Sequence, residues 1–129
     1  TTTEPVLVSG TADCLGAQYE ITYTVSDDCG QSASCVQRWT LVVPAPTIEC
    51  PADLVVDCFD DIAEGTPVTT TSCEQGSTVA TVGPTLVSGA EGCDQAVYEI
   101  VYTVTDDCGK TASCTQTFTL DVAAPTISC

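Results

Sequence analysis

The sequence predicts an all-β protein built from repeated two-sheet modules. Three observations predict it. Apolar residues alternate with polar ones at a period of two through the longest ordered-looking stretches,. Gly, Pro and acidic clusters interrupt those stretches at close intervals,. And one long segment occurs twice: residues 5–50 return without a gap as residues 84–129, at a constant offset (84 − 5 = 79; 93 − 14 = 79; 129 − 50 = 79). Roughly three positions in five are identical between the copies, and a fixed period of this size marks an array of similar modules.

The second copy carries the clearest strands. In residues 97–105, Tyr98, Ile100, Tyr102 and Val104 fall on one face, and Glu99, Thr103 and Thr105 on the other. In residues 111–122, Cys114, Phe118, Leu120 and Val122 alternate with Thr115, Thr117, Thr119 and Asp121. Such alternation is the mark of half-buried antiparallel sheet. The DDCGK segment, Asp106 to Lys110, joins the two runs as a hairpin turn,. Shorter strands are expected at 47–50, 54–58, 66–71, 78–82 and 85–88, and nothing reads as a helix of any length. About seven short strands in a module of this length point to an immunoglobulin-like β-sandwich.

The period sets the expected domains. The complete Ig-like module is 46–124, residues 1–45 match only the second half of such a module, and 125–129 open a third. The junctions read PAPTIEC and AAPTISC, where Pro46 and Pro125 restrict the backbone, giving a short stiff link that favours an extended rod,. The expectation is a window on a longer tandem polymer, or a subunit completed by a neighbour. The lack of an initiating Met and of a signal peptide points the same way, to a mature or internal fragment,.

Composition narrows the function classes. Acidic residues number 18 against 2 basic ones, Arg38 and Lys110, for a net charge of −16. Nucleic acid is excluded as a partner because phosphate neutralisation needs Lys and Arg. Membrane insertion is excluded because no stretch is long and apolar enough,. At 43% hydrophobic the chain is too apolar to be disordered,. With no His there can be no Ser-His-Asp or Cys-His site,. A carboxylate-pair glycosidase would need an aromatic cleft, and Trp39 is the one tryptophan, expected in the core by its equivalence to Phe118,. The chain is therefore expected not to be an enzyme and to need no cofactor. It has no Asn and hence no N-glycosylation sequon,.

Ten cysteines in 129 residues, with no CxxC pair, predict structural disulfides and an oxidising, extracellular compartment,. A thin core in a small module needs such staples. Acidic loops add a second candidate. Asp60, Asp61 and Glu64 share one loop, Asp106–Asp107 recurs as Asp27–Asp28, and Glu91 and Asp94 flank Cys93. Ca²⁺ takes six to eight hard oxygens, so Asp60, Asp61, Glu64, Asp106 and Asp107 are its candidate ligands. There is no D-x-D-x-D-G loop, and solvated loop tips are the competing reading. Tyr98 and Tyr102, with Tyr19 and Tyr23 in the first copy, are expected as core rings whose hydroxyls are hydrogen-bonded, the alternative being a surface ligand stripe.

The order APTI-x-C-PADLVV-x-C, TTTSC, GC and YTVTDDCGKTASCTQTFTL resembles the hyalin-repeat (HYR-like) immunoglobulin-type modules found in tandem in large secreted surface proteins of bacteria. The resemblance spans the complete module and the half module before it. It implies an Ig-like sandwich acting in adhesion or in an extracellular filament. The acidic pair Asp106–Asp107 departs from the usual pattern. Placing the cysteines on that topology puts Cys73 and Cys108 at one end, and Cys58 and Cys93 at the other. Cys50 and Cys114 remain, both inward by parity, giving Cys58–Cys93, Cys73–Cys108 and Cys50–Cys114. The rival is local: Cys50–Cys58, Cys108–Cys114 and Cys73–Cys93. In the half module Cys14, Cys29 and Cys35 correspond to Cys93, Cys108 and Cys114, and Cys129 to Cys50. Under the first wiring the partners of Cys14, Cys29 and Cys35 lie before residue 1. Under the second, Cys29–Cys35 closes alone. The expected role is a structural repeat of an extracellular filament or giant adhesin whose partners are copies of itself or adjacent modules. The alternative is an adhesin module that recognises a glycan or protein through its loops.

Overall fold

A computed structural model describes residues 1–72 and 75–129. The chain divides into two compact units, residues 1–44 and 45–129. Strands are the only extended elements, and there is no α-helix among the described residues.

The first unit is one three-stranded antiparallel sheet. Its strands are β1 (Val6–Ser9), β2 (Gln18–Ser26) and β3 (Ser32–Thr40), in spatial order β1-β2-β3. The N-terminal residues run alongside β2: Thr2 bridges Tyr23, and Thr24 donates its N–H to the Thr1 carbonyl at 2.9 Å.

The second unit holds two sheets. Its strands are β4 (Thr47–Glu49), β5 (Leu54–Val56), β6 (Val68–Thr70), β7 (Ser77–Ser88), β8 (Val97–Asp106) and β9 (Thr111–Leu120). β4 and β6 pair antiparallel, while β5, β9, β8 and β7 form a four-stranded sheet in that order, β5 running parallel to β9. A single 3₁₀ turn lies between β5 and β6, at Phe59–Asp61. Period-two patterning places Tyr98, Ile100, Tyr102, Val104, Phe118 and Leu120 inward, where each is buried. Ile48, Cys50, Val56, Ile62, Cys114 and Val122 pack against the cluster formed around these side chains.

Two expected strands, 78–82 and 85–88, are one strand, β7. The interruption at Gly83–Pro84 is a register shift between Val82 and Thr85. Gly83 has φ +125°, and a Cβ there would stand 2.5 Å from the Glu99 carbonyl oxygen. Only glycine lets the two backbones approach so closely without ending the strand.

The two long hairpins share one register. Tyr23 faces Cys35 and Tyr19 faces Trp39; Tyr102 faces Cys114 and Tyr98 faces Phe118. Each pair is displaced by the same offset (102 − 23 = 79; 118 − 39 = 79). The irregularity between Leu7 and Ser9 in β1 returns between Leu86 and Ser88 in β7.

Candidate functional site

The informative place in this protein is one sheet face seen in two states. In the second unit the face of β8 and β9 is covered. The Tyr102 hydroxyl accepts the Gly65 N–H at 2.9 Å and donates to Gln116 Oε1 at 2.9 Å, and Gln116 Nε2 donates to the Ala52 carbonyl at 2.7 Å. This chain of bonds ties the hairpin to the segment that crosses it, and its buried groups are all paired, as burial requires. Gly65 fits there because its backbone lies against Pro51: a Cβ would stand 2.6 Å from Pro51 Cγ. The Tyr98 hydroxyl accepts the Gly92 N–H at 3.0 Å, and the Phe59 ring tilts against the Tyr98 ring at 5.0 Å between centroids. Cys50 and Cys114 close the arrangement with a disulfide across Cα atoms 5.7 Å apart.

In the first unit the same face is open. Tyr23 keeps its bond to Gln37 Oε1 at 3.0 Å, but the Gly65-like donor and the Ala52-like acceptor have no counterpart within residues 1–44. Tyr23 is 39% exposed where Tyr102 is 1%, and Trp39 is 36% exposed where Phe118 is 0%. The expectation that Trp39 lies in a core is therefore corrected. Its strand position is inward, but the unit has no second layer to cover it. Pro5, Tyr19, Ile21, Trp39 and Leu41 line an apolar depression of about 260 Å³. A second depression, of about 450 Å³, is bordered by Thr2, Tyr23, Val25, Ala33 and Cys35 among others.

The cysteines divide along the same line. Cys14 and Cys108 are disulfide-bonded, as are Cys50 and Cys114. Cys29, Cys35, Cys58, Cys93 and Cys129 are free and exposed. Cys73 lies outside the described residues, and the expected Cys73–Cys108 pairing with it. Three expectations are corrected. Cys58 and Cys93 are not bridged, because the inward contacts at that end are made by their neighbours: Phe59 and Gly92 meet Tyr98, and both thiols stay on the surface. The local alternative is also absent, since Cys50 reaches Cys114 and Cys29 and Cys35 are both free. Cys14 is bonded, so its partner lies in this chain and not before residue 1.

The acidic residues have local work. Asp106, 6% exposed, accepts the backbone N–H groups of Cys108 and Lys110 at 3.0 and 2.8 Å on one carboxylate oxygen. Asp27 does the same for Cys29 and Gln31, at 3.0 and 2.8 Å. This Asx-type cap stabilises the hairpin turn. Asp107 turns away to accept the Gly76 N–H at 2.9 Å. Asp60 and Asp61 sit in the 3₁₀ turn, and both are exposed along with Glu64. Asp94 accepts the Val122 N–H at 3.1 Å. The structure thus spreads Asp60, Asp61, Glu64, Asp106 and Asp107 over separate tasks. No group of three or more potential ligands is arranged to hold a metal ion among the described residues.

No helix among the described residues is long and apolar enough to cross a membrane. The free thiols are what reasoning from sequence missed, since the covering of a sheet face is written in residues far from it. The chain matches no protein-family model and no curated protein.

Proposed function

We propose that this chain is a structural repeat of an extracellular filament or giant surface adhesin, in which immunoglobulin-like sandwiches recur with a period of 79 residues and disulfides give covalent mechanical continuity. One observation carries the reading. The same hairpin, in the same register, occurs twice in one chain, once covered and bridged through Cys114 and once open with Cys35 free. Open apolar faces and unpaired edges do not persist alone. An open copy beside a closed one suits a chain whose modules are completed on assembly.

The function is non-catalytic in this reading. Side chains that an active site would recruit are used for turns and covering contacts. Ten cysteines suit an oxidising exterior, and the net charge of −16 keeps a polymer from aggregating laterally,. The similarity to hyalin-repeat modules supports the same role. Helical electron microscopy of the intact polymer under non-reducing conditions tests it. Continuous fibres with an axial repeat of one or two modules are expected, and isolated particles would reject the proposal.

A further inference from the structure

We infer that Cys129 of one copy forms a disulfide with Cys35 of a second copy, with the C-terminal segment Pro125–Cys129 seated on the open face of the first unit. The inference rests on the filament reading and names its joint.

The second unit supplies the template. Residues 45–50 read APTIEC, and residues 124–129 read APTISC. In the first of these, Thr47–Glu49 forms β4, which packs against β8 and β9. Ile48 packs against the core cluster and Cys50 is bonded to Cys114. In the second, no strand forms, Ile127 is 92% exposed and Cys129 is a free thiol. One copy of the segment has a face to cover and the other does not.

The face it fits is present in the same chain. Cys35 is the register equivalent of Cys114, since each lies opposite a tyrosine, Tyr23 or Tyr102. Cys35 borders the 450 Å³ depression, and Tyr23, Val25 and Trp39 beside it are exposed where their equivalents are buried. A segment placed as β4 is placed would bring Ile127 onto this apolar face. It would also bring the Cys129 sulfur within the Cα separation of about 4.4–6.8 Å that a disulfide needs. The occupant is a second copy because residues 125–129 are the one other segment of this chain with the APTI-x-C pattern.

The bond requires a two-electron oxidant, a low-molecular-weight disulfide. The Cys35 thiolate attacks one sulfur of it, forming a mixed disulfide and releasing a small thiolate. The Cys129 thiolate of the second copy then attacks the Cys35 sulfur, forming the protein bridge and releasing the second small thiolate. Two protein thiols are oxidised, one small disulfide is reduced, and the two thiol protons pass to the released thiolates.

The test uses the full 129-residue chain with oxidised glutathione, non-reducing electrophoresis and mass mapping of linked peptides. Both thiols are exposed and unbonded, so C35S and C129S are expected to fold as the parent does. The parent chain should give a covalent ladder containing a Cys35–Cys129 peptide. C35S alone and C129S alone should remain monomeric, and their equimolar mixture should stop at dimers. A ladder that persists in C129S, a ladder linked through Cys29, Cys58 or Cys93, a bridge closed within one chain, or monomer only would each overturn the inference. Fibres that survive in C129S would sink this joint and leave the filament reading standing. Cys35–Cys129 dimers that never extend into fibres would do the reverse.

Discussion

Asp106 shows how one carboxylate can look like a ligand and act as a brace. Its oxygen accepts two backbone N–H groups of its own turn, and its burial leaves water little access to replace it. Asp106→Ala should lower stability by about 1–3 kcal/mol, because two donors lose a charged acceptor. Asp107→Ala removes a single exposed bond to Gly76 and should cost less than about 1 kcal/mol. Urea unfolding of both variants gives the comparison, and equal costs would contradict it. The tyrosines provide a second contrast. Tyr102→Phe strips a buried hydroxyl from between Gly65 and Gln116 and should cost about 1–3 kcal/mol. Tyr23→Phe removes one exposed bond and should stay within about 0.5 kcal/mol in the isolated chain. A large penalty for Tyr23→Phe would mean that its face is covered after all.

At the scale of elements, the hairpin is the unit that repeats and the covering layer is the unit that varies. The β8–β9 pairing is local in sequence, joined by a five-residue turn whose Asp106 N–H bonds the Lys110 carbonyl at 2.9 Å. The covering strands come from far away. Leu54–Val56 lies parallel to Phe118–Leu120, and Cys50 reaches Cys114 across 64 residues. Closing a loop of that length in the unfolded chain should be worth about 4 kcal/mol in the chain-entropy model. The double variant Cys50→Ser with Cys114→Ser is expected to lose about 2–4 kcal/mol in denaturant unfolding under non-reducing conditions. The same treatment of the free thiols Cys58 and Cys93 should leave stability within about 0.5 kcal/mol. A comparable loss there would show that the two are bridged in solution.

For the molecule as a whole, charge opposes the association that the open face invites. Copies carrying −16 each repel, and the Debye length falls from about 30 Å at 0.01 M salt to about 10 Å at 0.1 M. The rate of covalent coupling between copies should therefore rise as salt increases over that range, read from the growth of non-reducible dimers with time. A rate that falls with salt would mean that attraction between unlike charges drives the contact. Arg38, ion-paired with Glu20, and Lys110 are the only cations on which such an attraction could draw.

The amino-acid sequence alone determined the strand pattern, the hairpins and the repeat. Tyr98-x-Ile100-x-Tyr102-x-Val104 alternates at a spacing only a strand satisfies, and the turn chemistry of Asp106 and Gly109 fixes which residues face one another,. These are local properties, set by a handful of adjacent residues. Tertiary structure decided the rest. It joined 78–82 to 85–88 through Gly83, left Cys58 and Cys93 unbonded while linking Cys50 to Cys114, and exposed Trp39 while burying Phe118. Alternation says which way a side chain points. Whether anything stands opposite depends on segments dozens of residues away, and that difference separates Cys35 from Cys114 in two hairpins of one register.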